Sequence, residues 1–303
     1  MSIDGRVYLA SSRDRQKSIP ALLERIDLSD YRGKQVALKA NFNSADPFPA
    51  STHPETLRLL VESIKKAEPS GITLAERSGM GRTSQVLDKL GVYSLSRELG
   101  FKVKVLEESS HDEWTKIDSK GAHWLNGFYI SKVFTEAPKV VQTCCLKTHR
   151  FGGQFTMSLK NSVGMVAKKL PNEFYDYMDE LHLSPNQRKM IAEINAHYRC
   201  DFVLMDASKA FISGGPDKGS LVEPGLILAA KDRVAIDAVG AAILQRHGAR
   251  MQGGSSSILE LDQLKRAVEL GIGVKRMEEI QLIPLDDYSR DEAKILMKQY
   301  FPS

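Results

Sequence analysis

The sequence contains little cysteine, and the few residues it has exclude several kinds of protein. Its three cysteines are the adjacent pair Cys144 and Cys145 and the isolated Cys200. They form no C-x-x-C spacing, which zinc sites and iron–sulfur clusters commonly use. A sparse, odd number of cysteines is typical of a reducing compartment rather than of a disulfide framework. The first residues also lack an apolar signal core, so we expect a cytoplasmic protein.

Long apolar runs and an excess of one charge are also missing. No stretch approaches the ~20 apolar residues that a membrane-spanning helix needs, so we expect no membrane partner. The 42 Lys and Arg residues nearly balance the 38 Asp and Glu residues, which leaves a net charge of +4. Proteins that bind nucleic acid usually concentrate a strong basic excess on one face. The sequence therefore predicts no nucleic-acid partner.

Strand and helix patterns alternate regularly along the chain. Short apolar runs with few internal polar residues are typical of strands that helices cover on both faces. Their alternation with amphipathic segments indicates an α/β fold: a mainly parallel sheet with helices on both faces, in a Rossmann-like three-layer arrangement. The predicted strands are residues 36–38, 72–75, 103–106, 140–146, 202–205 and 226–230. The predicted helices are residues 54–66, 83–90, 94–99, 186–198, 234–246, 257–270 and 290–300.

No internal repeat or low-complexity tract divides the chain, so we assign residues 1–303 to a single α/β domain. One segment differs from the rest. Residues 170–200 contain Pro171, Pro185 and a middle part rich in Tyr and Met, without a strand pattern. We predict a helical insertion or lid over residues 170–200.

Polar side chains follow five of the predicted strands, namely Lys39, Glu76, Lys147, Asp206 and the pair Lys231-Asp232. For any single strand, the polar residues can simply mark where the strand ends. Five strand ends that carry Lys, Glu, His and Asp nevertheless favour a shared site. In a parallel sheet these ends lie at one edge, where open α/β folds bind their ligands. We predict catalytic roles for Lys147, His149 and Asp206. His149 would transfer a proton, because His titrates near neutral pH, and Asp206 would orient it or act as its partner base.

A basic segment suggests the charge of the ligand. Residues 137–172 contain no Asp or Glu, and such a segment attracts anions. Only Phe151 and Phe155 are interleaved with its Lys and Arg residues, too few for a surface on which bases stack. We therefore predict a small anionic ligand. The residues predicted to bind it are Lys39, Asn41, Lys160 and Asn161.

Two glycine-rich loops are candidate parts of the same site. Gly79, Gly81 and Arg82 lie between a predicted strand and a predicted helix, where free amide groups bind phosphate or carboxylate. An ordinary turn capped by Thr or Ser explains the same residues, and both the dinucleotide fingerprint and the Walker sequence are incomplete. Gly214 and Gly215 belong to the sequence Ser213-Gly214-Gly215-Pro216-Asp217, which neither a regular helix nor a regular strand tolerates, so we predict a loop there.

Asp232 and Asp237 are the candidate metal ligands, although no His-x-x-x-His or Asp-x-Asp spacing supports a metal site. Asp232 is equally suited to cap a helix that begins near Val234. Whether the protein binds a metal or an organic cofactor stays open. Histidines on predicted helices, including His182, are assigned to helix surfaces or to packing.

Several of these motifs follow one another in a defined order along the chain: Lys39-Ala40-Asn41, the Gly79/Gly81 loop, Leu146-Lys147-Thr148-His149, Ser158-Leu159-Lys160-Asn161, Gly214-Gly215-Pro216 and residues 232–239. The ordered set resembles the family called domain of unknown function 362, over roughly residues 36–273. The resemblance implies positions for a site and supplies no established activity. Members of that family are often joined to a ferredoxin-like module with cysteine-ligated iron–sulfur clusters, and this sequence lacks the cysteines for one.

Two functions are compatible with these features. The first is an enzyme that acts on a small carboxylate or phosphate by lysine-assisted acid–base chemistry. The alternative is a non-catalytic protein that handles a cofactor or metal centre together with a redox partner protein. A redox enzyme with an organic cofactor is a third option. The sequence leaves the oligomeric state open, and a homo-oligomer is one possibility.

We expect the purified protein to show no iron–sulfur absorption in the visible range and no stoichiometric iron. The reason is that three cysteines cannot supply the four thiolates typical of one cluster. Absorption spectroscopy and iron analysis of the protein as isolated check this. A brown monomer with cluster-bound iron would contradict it.

Overall fold

The computed structural model describes residues 4–152, 154–251 and 257–301. Within these ranges ten strands form one mixed sheet and two form a separate small sheet. The strands are β1 (Arg6–Ser11), β2 (Gln35–Lys39), β3 (Gly71–Glu76), β4 (Lys102–Val105), β5 (Trp114–Ile117), β6 (Phe128–Ser131), β7 (Lys139–His149), β8 (Gln154–Thr156), β9 (Phe202–Gly214), β10 (Gly219–Val222), β11 (Leu226–Ala230) and β12 (Gln281–Pro284).

The helices of the same ranges vary from one turn to four turns. They are α1 (Arg15–Ile26), α2 (Pro54–Lys66), α3 (Thr83–Lys89), α4 (Val92–Leu99), α5 (Lys132–Thr135), α6 (Ser158–Asn161), α7 (Tyr177–Leu183), α8 (Gln187–Ile194), α9 (Arg233–Arg246), α10 (Asp262–Glu269) and α11 (Asp287–Tyr300). In the described part of the chain, none of these helices combines the length and the apolar character that crossing a bilayer requires.

The main sheet is mostly parallel. Its strand order is β12-β1-β11-β9-β7-β2-β3-β4. The neighbouring strands from β9 to β4 are all parallel, and so are β1 and β12, whereas β11 is antiparallel to both of its neighbours. The short strands β8 and β10 are antiparallel to β7 and β9. The predicted α/β fold with a mainly parallel sheet is therefore confirmed.

Helices cover both faces of the sheet, because its strands carry apolar side chains in both directions. On one face, Val141 and Leu204 belong to the core formed with α1, α2, α3 and α4. On the other face, Cys144 and Met205 belong to the core formed with α9, α10 and α11. Helix α9 is buried on most of its sides, since it lies between the sheet and the two helices outside it. This three-layer packing holds the strand ends in place.

Several elements were not predicted from the sequence: the strands β1, β5, β6, β8, β10 and β12 and the helices α1, α5 and α6. Helix α1 contains Pro20 in its interior, which is usually a signal against a helix. Strand β12 is short and lies at the edge of the sheet, so its apolar pattern is weak. Residues 170–200 contain α7, α8 and a 3-10 turn at Asn195–His197, and they contact α6 and α10. The single domain and the lid function of this segment stay predictions.

The parallel strands bring their carboxyl ends to one edge, as expected. Lys39 ends β2, Glu76 ends β3, and Lys147 lies near the end of β7. Asp206 of β9 pairs with Cys145 of β7 and so lies at the same level of the sheet. The predicted common edge for these four polar residues is therefore present in the fold.

The prediction that Lys231 and Asp232 share this edge is wrong. Strand β9 continues into a hairpin with β10, and so short a connection returns β11 antiparallel to β9. Ala230 pairs with Val203 at the start of β9, so Asp232 lies at the opposite edge of the sheet. There it caps α9. Its Oδ1 accepts the amides of Val234 and Ala235, at 2.8 and 2.9 Å, and its Oδ2 accepts the amide of Val274 at 2.7 Å.

We predict that Asp232→Ala lowers the free energy of unfolding by about 2–4 kcal/mol, because it removes a helix cap and leaves a buried amide unsatisfied. Asp287→Ala is the matched control. Asp287 also lies in the first turn of a helix, but its side chain is 94% exposed, and we expect a loss below about 0.5 kcal/mol. Urea unfolding followed by circular dichroism measures both. Unchanged stability of Asp232→Ala would contradict the capping role.

Candidate functional site

A cleft of about 670 Å³ opens at the carboxyl edge of β2, β3 and β7. The strand ends and α6 form its floor. The loop after β3, the segment between α7 and α8, and Pro216 after β9 form its walls. The sequence-predicted residues that line it are Lys39, Asn41, Gly79, His149, Lys160 and Asn161.

Lys39 and Glu76 form a buried ion pair in this floor. The Nζ atom of Lys39 lies 2.7 Å from Oε1 and 2.8 Å from Oε2 of Glu76. Nζ also donates to the carbonyl of Ala40 and to Oδ1 of Asn161. Burial lowers the pKa of Lys39 and raises the pKa of Glu76, while the attraction between the two groups opposes both shifts. Because its protons already have protein acceptors, Lys39 organises the site and has no free donor for an anion.

Asn161 connects α6 to two strands. Its Oδ1 accepts from Lys39, and its Nδ2 donates to Oε1 of Gln142 and to the carbonyl of Thr143, both at 3.2 Å. Asn41 is also committed to the protein, because its Oδ1 accepts from Lys147 at 2.8 Å. Both asparagines line the cleft, yet their contacts are those of residues that hold the site together.

The short helix α6 is fixed by a fully buried aspartate of α9. The two carboxylate oxygens of Asp237 accept the amides of Ser158 and Leu159, at 2.8 and 2.9 Å. Burial raises the pKa of Asp237 to about 6. Its contacts hold the backbone that carries Lys160. They explain Asp237 without a metal, as capping explains Asp232.

Lys160 is the distinctive residue of the cleft. Its side chain is only 8% exposed, and among the described residues its Nζ has no hydrogen-bond acceptor and no ion-pair partner. Burial, together with the positive charges of Arg77 and Lys147, lowers the pKa of Lys160 to about 8. Near neutral pH the side chain is therefore able to act both as an ammonium and as a free amine.

Arg77 and Lys147 add positive charge, and among the described residues neither has a carboxylate at ion-pair distance from its side chain. The guanidinium of Arg77 donates to the main-chain carbonyls of Val163 and Val166 and contacts the sulfur of Met178. Lys147 donates to Asn41 and to the carbonyl of Ala50. Burial lowers the pKa of both groups. Arg77 lines the cleft, whereas Lys147, predicted to be catalytic, is buried and does not line it.

Two neutral imidazoles, His149 and His182, also line the cleft. Burial lowers the pKa of each, and the charge of Lys160 lowers it further, which places both rings near Lys160. Nδ1 of His182 lies 2.6 Å from the carbonyl of Met178, so this nitrogen carries the proton and Nε2 is the acceptor. Nδ1 of His149 is buried and has no hydrogen-bond partner. A lowered pKa makes each ring a poor base, so the two rings contribute neutral hydrogen-bonding groups to the cleft.

Asp206 does not belong to the cleft, and the expected pairing with His149 is wrong. Its Oδ2 accepts from Thr56 at 2.6 Å and from Arg15 at 3.2 Å, and its Oδ1 accepts from Ser208. The side chain lies on the α1–α2 face of the sheet because side chains alternate along a strand. The level of a residue along the sheet predicts its edge but not its face.

The glycine loop after β3 is an ordinary turn rather than an anion cradle. Gly79 lines the cleft, but Gly81 and Arg82 do not. Four of its amides already have protein acceptors: Ser78 donates to Thr83, Gly79 and Met80 donate to Asn43, and Thr83 donates to Glu107.

The predicted binding role of Gly214 and Gly215 is not supported by their position, because Pro216 lines the cleft and they do not. Gly215 has φ +68°, and a Cβ atom there would lie 2.0 Å from the carbonyl oxygen of Thr148. Its own carbonyl accepts from Arg150. The two glycines shape a tight turn against the end of β7.

Sequence reasoning missed Arg77 and His182. Arg77 directly follows the predicted strand end at Glu76, so its position at the edge was a usable signal. His182 lies in α7, and no sequence pattern places that helix over the cleft. In residues 4–152, 154–251 and 257–301, no group of three or more His, Cys, Asp or Glu side chains is arranged to hold a metal ion.

The fold and the site define an α/β protein with a cationic cleft at the carboxyl edge of its sheet. The sequence matches the family described as "Domain of unknown function (DUF362)" over residues 36–242. The chain therefore belongs to this family, as its motifs indicate. Comparison with curated proteins gives no match.

Among solved structures, the chain is similar to the lactate racemase apoprotein from Thermoanaerobacterium thermosaccharolyticum. The sequence identity is 20% and the TM-score is 0.46. The alignment covers 74% of this chain and 54% of that chain, so this chain spans about half the length of its neighbour. A similarity of this size carries no information about activity.

We predict that Glu76→Gln lowers the free energy of unfolding by about 3–5 kcal/mol, because it leaves the buried Lys39 ammonium uncompensated. Glu98→Gln is the matched control, since Glu98 pairs with Arg58 at the surface, and it should cost less than about 1 kcal/mol. The double variant Lys39→Met/Glu76→Gln should recover part of the loss. Equal stability of the two single variants in urea unfolding would show that the ion pair is not formed.

Proposed function

We propose that this protein is an enzyme that binds a small carboxylate- or phosphate-bearing anion in the cleft and transfers a proton through Lys160. The observation that carries the proposal is the buried Lys160 side chain, which lies in the cleft without a protein partner. A buried ammonium without a partner is costly, and an anionic ligand would remove that cost.

The charges around Lys160 support an anion as the ligand. Lys39 and Glu76 neutralise each other. Arg77, Lys147 and Lys160 have no carboxylate at ion-pair distance among the described residues, and His149 and His182 are neutral at physiological pH. The cleft thus presents unbalanced positive charge in a desolvated setting, where attraction to an anion is strongest.

Proton transfer is the chemistry that these side chains support. A general base or acid works best when its pKa lies near the operating pH. The pKa of Lys160 is lowered to about 8 by burial and by its cationic neighbours. The carboxylate of Glu76 is already bound to Lys39, so Lys160 is the titrating group best placed in the cleft. His149 and His182 are neutral beside it, and their lowered pKa values leave Lys160 as the base of the cleft.

A non-catalytic protein that handles a cofactor or metal centre is the second candidate. The observation in its favour is exposed apolar surface on and beside α7: Leu125 is 76%, Phe174 99% and Leu183 84% exposed. The backbone amide of Leu125 and the hydroxyl of Tyr175, next to Phe174, both donate to Glu180 of α7. Stoichiometric binding without turnover would favour this function. A cytoplasmic location and the absence of nucleic-acid and membrane partners stay predictions.

Isothermal titration calorimetry with oxalate tests the proposal. Both carboxyl groups of oxalate are ionised at neutral and higher pH, so the charge of the probe does not change in this range. We expect Lys160→Gln to weaken binding about tenfold to a hundredfold, the loss of a charge-assisted hydrogen bond. Lys168→Gln is the matched control, because Lys168 is an exposed residue of the same segment and its variant should bind like the wild type.

The pH dependence gives an independent check of the same proposal. Lys160 is charged below its pKa of about 8, so wild-type affinity for oxalate should fall as the pH rises through this value. The Lys160→Gln variant should show a flatter profile. If oxalate and inorganic phosphate bind both variants equally, or bind neither the wild type nor the variants, the proposed anion site is wrong.

A further inference from the structure

Lys160 has the environment of a nucleophilic amine as well as of a base. Its backbone is fixed, because Asp237 holds the first amides of α6. The residue is only 8% exposed, and its amine makes no hydrogen bond to the described protein, while the positive charges of Arg77 and Lys147 act on it. A lysine that is desolvated and lies next to other cations is the arrangement that activates amines for attack on carbonyl groups.

We infer that Lys160 forms an imine with an oxo acid, a substrate that carries both a carboxylate and a ketone or aldehyde group. This inference rests on the proposed function, since the anion site holds the carboxylate. It goes further by naming the substrate class and the covalent step.

The step balances without an oxidant or a metal. The lone pair of Lys160 Nζ attacks the carbonyl carbon, and the π electrons of the C=O bond move to oxygen. The two protons of the amine pass to that oxygen, which leaves as water, and a C=N bond replaces the C=O bond. The protons pass directly or through water that enters the cleft, and the neutral rings of His149 and His182 line its wall.

The rest of the cleft fits such a substrate. Arg77, at the cleft wall, offers a fixed positive charge for the carboxylate. The cleft volume of about 670 Å³ exceeds what the smallest oxo acids fill. Met80 and Phe151 line it and stay 40% and 50% exposed, so they offer an apolar surface for a larger substituent. The cleft thus favours an oxo acid with an apolar or aromatic group.

Reductive trapping tests the imine. The full-length protein is incubated with pyruvate or phenylpyruvate and sodium cyanoborohydride, and modified lysines are mapped by peptide mass spectrometry. Near neutral pH we expect one dominant adduct on Lys160, formed at least tenfold faster than on the exposed Lys168, and faster with phenylpyruvate. Its rate should rise as the pH increases through about 8, the pKa of Lys160, whereas oxalate affinity falls. D-lactate and L-lactate, which lack a carbonyl group, should give no adduct.

Lys160→Arg separates the inference from the proposed function, because it keeps the charge and removes the nucleophile. We expect it to bind oxalate within about tenfold of the wild type and to give no adduct at position 160. Should this variant not fold, the wild type serves instead: oxalate should compete with the oxo acid and slow the formation of the adduct. This competition also distinguishes anion binding from imine formation. Lysine-dependent oxalate binding without any adduct on Lys160 would overturn the imine and leave the anion site standing. No oxalate binding and no adduct would overturn both. An adduct spread evenly over exposed lysines would also overturn the imine.

Discussion

The buried ion pair between Lys39 and Glu76 joins three segments that are far apart in the chain. Lys39 ends β2, Glu76 ends β3, and Asn161 of α6 accepts a hydrogen bond from the same ammonium. Because both charges are removed from water, the pair is stable only when every donor and acceptor is satisfied. That requirement fixes α6 against the strand ends and so fixes the position of Lys160. It also uses Glu76, the one carboxylate among the described residues that line the cleft, which leaves Lys160 without a counter-charge in the part of the chain that the structure describes.

Unbalanced positive charge is the property that sets this cleft apart from an ordinary crevice at a sheet edge. Elsewhere the protein pairs buried charges, as Asp206 with Arg15 and Lys139 with Asp201 show. Around Lys160 it instead places Arg77 and Lys147, whose own partners are carbonyls, an amide and a sulfur. Burying such groups together costs free energy that the rest of the fold must supply. Buried cations without a counter-charge are typical of binding and catalytic clefts.

The two aspartates of the segment 232–239 were candidate metal ligands, and the structure gives both of them a role in holding the backbone. Both carboxylates accept backbone amides, Asp232 at the start of α9 and Asp237 at the start of α6. Asp232 accepts the amide of Val274 on the side away from the cleft, whereas Asp237 extends from α9 to α6. Asp237 nevertheless matters for the cleft, because it anchors the helix turn that carries Lys160. A motif position can thus be important through the backbone it holds.

The sequence by itself determined the alternation of strands and helices, the common edge of Lys39, Glu76 and Lys147, and the family. Local patterns carry this information, because burial on both faces leaves apolar runs and parallel strands collect their ends on one side. It did not determine which face of the sheet Asp206 occupies or that β11 runs backwards. It also did not show that α7 brings His182 to the cleft, or that Glu76 takes Lys39 and leaves Lys160 free. These outcomes depend on contacts between residues up to 150 positions apart, such as Thr56 and Asp206. Only the packed tertiary structure decides them, because the same charged side chain can be paired, buried or free according to its neighbours.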